Sequence, residues 1–126
     1  MSFKFDPSES GLKKILKGHE ELALRYFWDG NEAPAGTKIV WDYVNSKLTE
    51  RSAVSRATII NFLAKMKREG VLESRDATGK GGHRELYYAN IDEAGFVQLV
   101  FRTLIDSCMR DFPQVTEEVL RSFYSE

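Results

Sequence analysis

The stretch Ser55–Ala89 reads SRATIINFLAKMKREG, then VLESRD, ATGKGG and HRELYYA. The first block has apolar residues at helical spacing, with Ile59, Phe62, Leu63 and Met66 on one face at about 100° per residue. Ser55 is placed to cap this helix through its hydroxyl, and Gly70 to stop it at positive φ. Short strands are expected over Val71–Arg75 and Arg84–Ala89, with Leu86 and Tyr88 on one face and Glu85 and Tyr87 on the other. The glycines of Thr78–Gly82 are expected at the tip between them. A helix followed by a cationic hairpin is the second half of a winged helix-turn-helix. Such a unit offers double-stranded DNA one probe for the major groove and one for the backbone or minor groove.

The helix has a second face. Ala57, Asn61, Ala64, Lys65 and Arg68 lie opposite the apolar stripe, and two alanines there let the backbone sit deep in a groove. Asn61 suits an adenine edge, Arg56 a guanine or a phosphate, and Ile60 a thymine methyl. Lys65 and Arg68 suit phosphates, which position without specifying. Ser55 and Thr58 complete the candidate surface on the helix, and Lys80, His83 and Arg84 carry it onto the wing. An amphipathic helix with a solvated outer face would show the same pattern by itself. The hairpin and the charge distribution favour DNA. Between Arg51 and Leu86 eight cations face four acids, a local charge of +4 within a chain of net −1. Residues 91–126 carry three cations against seven acids, −4. Phosphate affinity follows the local excess and not the sum.

Upstream, a helix is expected over His19–Trp28 with Leu22, Leu24, Phe27 and Trp28 inward. A second is expected over Thr37–Leu48 with Ile39, Val40, Tyr43, Val44 and Leu48 recurring at helical spacing. Residues 1–11 read as a loosely docked arm, Gly11–Lys17 as a helical turn, and Pro34–Gly36 as a turn. Downstream, Glu93–Asp111 reads as a long helix, Pro113 as its breaker, and Thr116–Tyr124 as a last helix. Gln98, Arg102, Asp106 and Arg110 form a polar row in which Asp106 can pair with both arginines. Val97, Val100, Phe101, Leu104, Ile105 and Cys108 cover an arc wider than one small domain needs. With Phe112, Leu120 and Phe123 they form a candidate homodimer surface. The fold class expected is mainly α with a small β-hairpin wing, a winged helix-turn-helix over residues 12–90 followed by C-terminal dimerisation helices over 91–126.

Other chemistries find little support. With 42% apolar and 12% aromatic residues, the chain has material for a core. No apolar run approaches the roughly 20 residues of a membrane span, and MSFKFDPSES lacks the core of a signal peptide. A cytoplasmic location is expected, and neither a membrane partner nor a small-molecule ligand is evident. The one cysteine, Cys108, cannot make an internal disulfide or a thiolate cluster. It reads as apolar packing, with a redox role as the alternative. The wing glycines lack the GxxxxGK[ST] pattern of a phosphate cradle. No HExxH, nucleophile–base pair or metal-ligand cluster occurs, so no catalytic residue, metal or cofactor is expected. The alternative to a DNA-binding regulator is a winged-helix module for protein contacts in a larger assembly.

On Glu20–Trp28 (EELALRYFW), on Thr58-Ile59-x-x-x-Leu63-x-x-Met66-x-x-x-Gly70-x-Leu72, and on a wing ending in Tyr87-Tyr88, the chain resembles the penicillinase repressor family, which includes methicillin-resistance and copper-responsive repressors. The resemblance covers His19–Tyr88 and, more loosely, the helical tail. It implies a dimeric transcriptional repressor that occludes promoters. The chain departs from that pattern in three places. Its only Asn-Phe pair, the cleavage signal of the antibiotic-responsive members, is Asn61-Phe62 in the third helix and not in the dimerisation region. Its tail has no cysteine-rich segment of the copper-responsive kind. Its GKGG wing is longer than the family's usual one.

Overall fold

The computed structural model of the chain describes residues 3–31, 33–79 and 82–125, the side chain of His83 excepted. A 3-10 turn over Gly11–Lys14 precedes α1 (Gly18–Trp28), α2 (Thr37–Lys47) and α3 (Arg56–Arg68). Strands β1 (Leu72–Gly79) and β2 (Gly82–Ala89) form the hairpin, and α4 (Glu93–Asp111) and α5 (Pro113–Ser122) follow. Three helices and a two-stranded antiparallel hairpin in this order are a winged helix-turn-helix. Contacts group the chain into one unit over Ser2–Asp92 and another over Glu93–Glu126.

In the first unit, burial follows the apolar stripes. Leu24 of α1, Val40 and Val44 of α2, and Ile59, Leu63 and Met66 of α3 are fully buried, with Val71 beside Leu72 at the hairpin base. Phe27 and Phe62 are buried beside them. Ile39 departs from expectation: it lies in the first turn of α2 and stays more than half exposed. On β2 the buried tyrosine is Tyr87, so the inward face of the strand is that of Glu85 and Tyr87.

The ends of α3 are chemically defined. Ser55 Oγ accepts the Thr58 amide at 3.2 Å, which supplies one of the four amides that the helix leaves unpaired. At the other end Gly70 takes φ +82°. The Gly70 amide donates to Lys67 O and the Val71 amide to Met66 O, at 3.1 and 2.9 Å. This is the two-bond C-terminal motif that a left-handed residue permits. The turn returns the chain directly into β1, and Asn90 then clasps its base by donating from Nδ2 to Gly70 O at 2.8 Å.

The hairpin is longer than the sequence suggests. The ladder runs in register from Leu72 opposite Ala89 to Gly79 opposite Gly82. Thr78, Gly79 and Gly82 are therefore strand residues, because ladder bonds use backbone atoms and do not need a Cβ. A third piece of backbone joins the sheet at Ala35. Its amide donates to Tyr87 O at 2.9 Å and its carbonyl accepts the Tyr87 amide at 2.8 Å. The expected Pro34–Gly36 turn is thus anchored to the wing.

In the second unit, Pro113 occupies the first turn of α5, beginning the helix where its missing amide costs nothing. The Phe112 amide donates to Cys108 O at 2.7 Å and the Thr116 amide to Phe112 O at 3.0 Å, closing the α4–α5 corner. Arg110 pairs with the adjacent Asp111 at 3.2 Å, not with Asp106. No helix among the described residues is long and apolar enough to cross a membrane.

Candidate nucleic-acid interface

The turn between α2 and α3 is held by side chains of α2. Asn45 Oδ1 accepts the Val54 amide and Asn45 Nδ2 donates to Val54 O, both at 3.0 Å. Trp41 Nε1 donates to the same carbonyl at 2.8 Å. These bonds satisfy a backbone group that would otherwise leave the turn loose. They fix the direction in which α3 starts. Trp41 and Asn45 lie outside the expected functional residues, although a Trp and an Asn four residues apart on a helix face are a usable sign of such a clasp.

The face of α3 opposite the apolar stripe is open in part. Arg56, Ala57, Ile60, Asn61 and Arg68 are exposed, and Ala64 and Lys65 are half-buried. Ser55 and Thr58 serve the helix cap, with their hydroxyl oxygens 3.0 Å apart. Lys65 Nζ lies 5.1 Å from the ring centre of Phe3, so the N-terminal arm reaches α3. Among the described residues no buried side-chain nitrogen or oxygen lacks a partner.

Arg56 and Arg84 share a cleft. Both line a cleft of about 480 Å³ with Thr37, Lys38 and Ile39 of α2 and Glu85 and Leu86 of β2. Arg56 Nη2 donates to Thr37 Oγ1 at 3.4 Å. The residue before α2 is Gly36, whose lack of a side chain leaves the first amides of the helix without a side-chain cap. Unpaired amides and the positive end of the helix dipole suit an anion. Thr37, Lys38 and Ile39 thus join the candidate interface beside the residues expected there. The available signal was a glycine directly before a Thr-Lys helix start.

The wing is tied to α3 by Lys67 Nζ, which bonds Glu85 Oε1 at 3.2 Å. Hydrogen bonding from Tyr87 and Lys67 holds the Glu85 carboxyl below the usual range. Burial, helped by Glu85, pushes the Tyr87 hydroxyl up to about 12. Tyr88 Oη donates to Glu73 across the ladder at 3.0 Å. Arg84 is exposed on β2, whereas Lys80 and the side chain of His83 lie outside the described residues. Among the described residues no group of three or more His, Cys, Asp or Glu side chains is arranged to hold a metal.

No protein-family model matches the sequence, and no curated protein matches it either. The likeness is to solved structures. A protein of Methanosarcina mazei described as a possible transcriptional regulator superposes with a TM-score of 0.59 at 11% identity, covering 81% of this chain and 78% of that one. A PadR family transcription regulator of Clostridium difficile covers 81% of this chain and 98% of its own, with a TM-score of 0.46 at 13% identity. The Orc1 protein of Aeropyrum pernix, solved with DNA, shares 17% identity over 67% of this chain and 23% of its own, with a TM-score of 0.49. At these identities the likeness concerns the fold, and the Methanosarcina structure shares it across most of both chains.

Proposed function

We propose that this protein is a sequence-specific, double-stranded-DNA-binding transcriptional regulator that acts as a homodimeric repressor. The observation that carries the reading is the convergence of Arg56, Arg84 and the open N-terminus of α2 on one cleft beside the outward face of α3. In this reading α3 enters the major groove, with Ala57 allowing close approach and Asn61, Ile60 and Arg56 meeting base edges. Ser55, Thr58, Lys65 and Arg68 sit along the flanking phosphates, and Lys80, His83 and Arg84 bring the wing to the backbone. Repression is by occlusion, with no chemistry, as the resemblance to penicillinase repressors implies. The described function of the Methanosarcina neighbour supports the same class. The protein works in the cytoplasm, beside its DNA.

The second unit supplies the dimer. Phe101 and Leu104 of α4 and Phe112, Val115, Val119 and Phe123 around α5 are large, apolar and exposed. Val97, Ile105, Cys108 and Leu120 are half-buried among them, while Val100 is already buried within the chain. An apolar surface of this extent marks an interaction site on a folded protein. In a C2 dimer, the same patch on each copy meets itself. Two heads then read a two-fold symmetric site.

Gel-shift titrations against a selected site and random duplex test the reading. Arg56→Ala and Asn61→Ala should narrow the gap between the two DNAs, since a good base contact discriminates by about 1–3 kcal/mol. Lys80→Ala and Arg84→Ala should weaken both DNAs alike and reduce the salt slope by about one each. Unchanged binding in all four variants overturns the assignment. Binding that ignores salt, with a stoichiometric protein partner, turns it into a protein-contact module.

A further inference from the structure

A second cavity in the first unit touches the proposed DNA surface only through Lys65. It measures about 550 Å³ and is walled by the N-terminal arm, the Gly11–Lys14 turn, the start of α1 and α3. Its apolar lining is Phe3, Phe5, Ile15, Leu16 and Phe62, and its cations are Lys4, Lys13, Lys14, Lys17 and Lys65. The arm is fastened to the turn by the Asp6 amide, which donates to Lys14 O at 2.7 Å.

Five lysines line the cavity against two carboxylates. Its two carboxylates are Asp6 and Glu20. Asp6 accepts the Ser8 amide and hydroxyl at 2.9 and 2.6 Å. Glu20 accepts the Lys17 amide at 2.8 Å, capping α1. Of the lysines, Lys14 is turned back onto the Pro7 and Glu9 carbonyls. Lys4, Lys13 and Lys17 are exposed at the rim. The cavity thus combines an apolar floor with a cationic mouth, and its volume is in the range of small-ligand sites. A nucleic-acid backbone has no use for the floor of phenylalanine and leucine. A purely apolar ligand has no use for the lysines.

The geometry points to a binding site for a small amphipathic anion, an acyl or aryl body carrying one carboxylate or phosphate. The body lies on Phe62 and Leu16 under Phe5, and the anionic oxygens meet Lys13, Lys17 and Lys65. Because Lys65 also belongs to the outward face of α3, the ligand and DNA phosphates draw on the same cation. Occupancy therefore weakens DNA binding, and by linkage DNA weakens ligand binding by the same factor. The site stands without the DNA reading, whereas the coupling rests on it.

Calorimetric titration of the full chain without DNA tests the site, with octanoate, octyl phosphate and the neutral control octanol. Both anions should bind with Kd at or below about 1 mM, and octanol at least about tenfold more weakly. Lys13→Gln with Lys17→Gln should remove the preference for the anions. Phe5→Ser should weaken all three ligands. No binding of either anion, equal binding of octanol, or full binding by the lysine variant overturns the site. So does capture by phosphatidylglycerol vesicles with no response to monomeric octanoate, which assigns the lysines to a membrane surface. Gel shifts on random duplex with saturating octanoate then read the coupling. Affinity should fall about fivefold, the low end of usual coupling energies, and by less in the lysine variant. An unchanged shift despite calorimetric binding overturns the coupling alone. Absence of any DNA binding, with octanoate still bound, overturns the DNA reading and leaves the site.

Discussion

The first unit and the last helix treat apolar residues in opposite ways. Over Ser2–Asp92 the helices hide them: Leu24, Val44, Ile59 and Leu63 are at 0% exposure. In α5 no residue is buried, and the flanking Phe112 and Phe123 stand at 63% and 77%. The helical periodicity is the same in both places. What differs is whether the chain itself supplies the other wall. In the first unit α1, α2, α3 and the hairpin close on one another. Along α5 and its C-cap the stripe of Val115, Val119 and Phe123 remains a surface, so its apolar area stabilises nothing until something covers it.

This contrast can be broken most sharply by truncating one residue from each region. Leu63→Ala should cost about 2–5 kcal/mol, read as a lower urea midpoint, whereas Val119→Ala should stay within about 0.5 kcal/mol at dilute concentration. Equal losses would mean that α5 is core after all. Tyr87 gives the next largest effect, confined to the first unit. Its hydroxyl is raised to about 12 in the folded chain, against 10.0 for a free tyrosine. The folded state therefore holds the proton more tightly. Its stabilising contribution is full below pH 10 and is lost as pH rises through 10 to 12. The loss has a ceiling of about 3 kcal/mol, and Tyr87→Phe should flatten that part of an alkaline unfolding profile.

Effects on association should then appear only in the second unit. Phe112→Ser with Phe123→Ser should weaken self-association by tenfold or more, about 1.4 kcal/mol, in sedimentation equilibrium. The unfolding midpoint should lose its dependence on protein concentration. If association persists, another surface makes the dimer. Smallest is the cap of α3: Ser55→Ala should cost about 1 kcal/mol in urea unfolding and leave self-association alone.

The legibility of the chain follows the same division between local and distant causes. Helix α3 could be read in full because its stripe, its cap at Ser55 and its stop at Gly70 are all local. The candidate surface on α3 came with it, since a wheel that places Ile59 and Leu63 inward places Ala57 and Asn61 outward. Ile39 was misplaced because periodicity says which residues share a face, not how much of that face the neighbours cover. The hairpin was read too short because glycine signals a turn, yet Gly79 and Gly82 pair through backbone atoms alone. Pro113 was read as a stop although it also suits a start. The Ala35–Tyr87 pairing left no trace, being a single residue matched to a partner far along the chain. The cleft at Arg56 and Arg84 is lined from α2, α3 and β2, so its cations were legible and their common cleft was not.

That one backbone pairing has a mechanical consequence. Ala35 lies one residue before the Gly36 cap of α2 and Tyr87 three residues beyond Arg84, so backbone bonds tie β2 of the wing to the approach to α2. Main-chain atoms thereby join the α2 and β2 walls of the cleft that Arg56 and Arg84 line. In the proposed DNA complex, that main-chain link would hold the wing and the approach to α2 against one stretch of phosphate backbone.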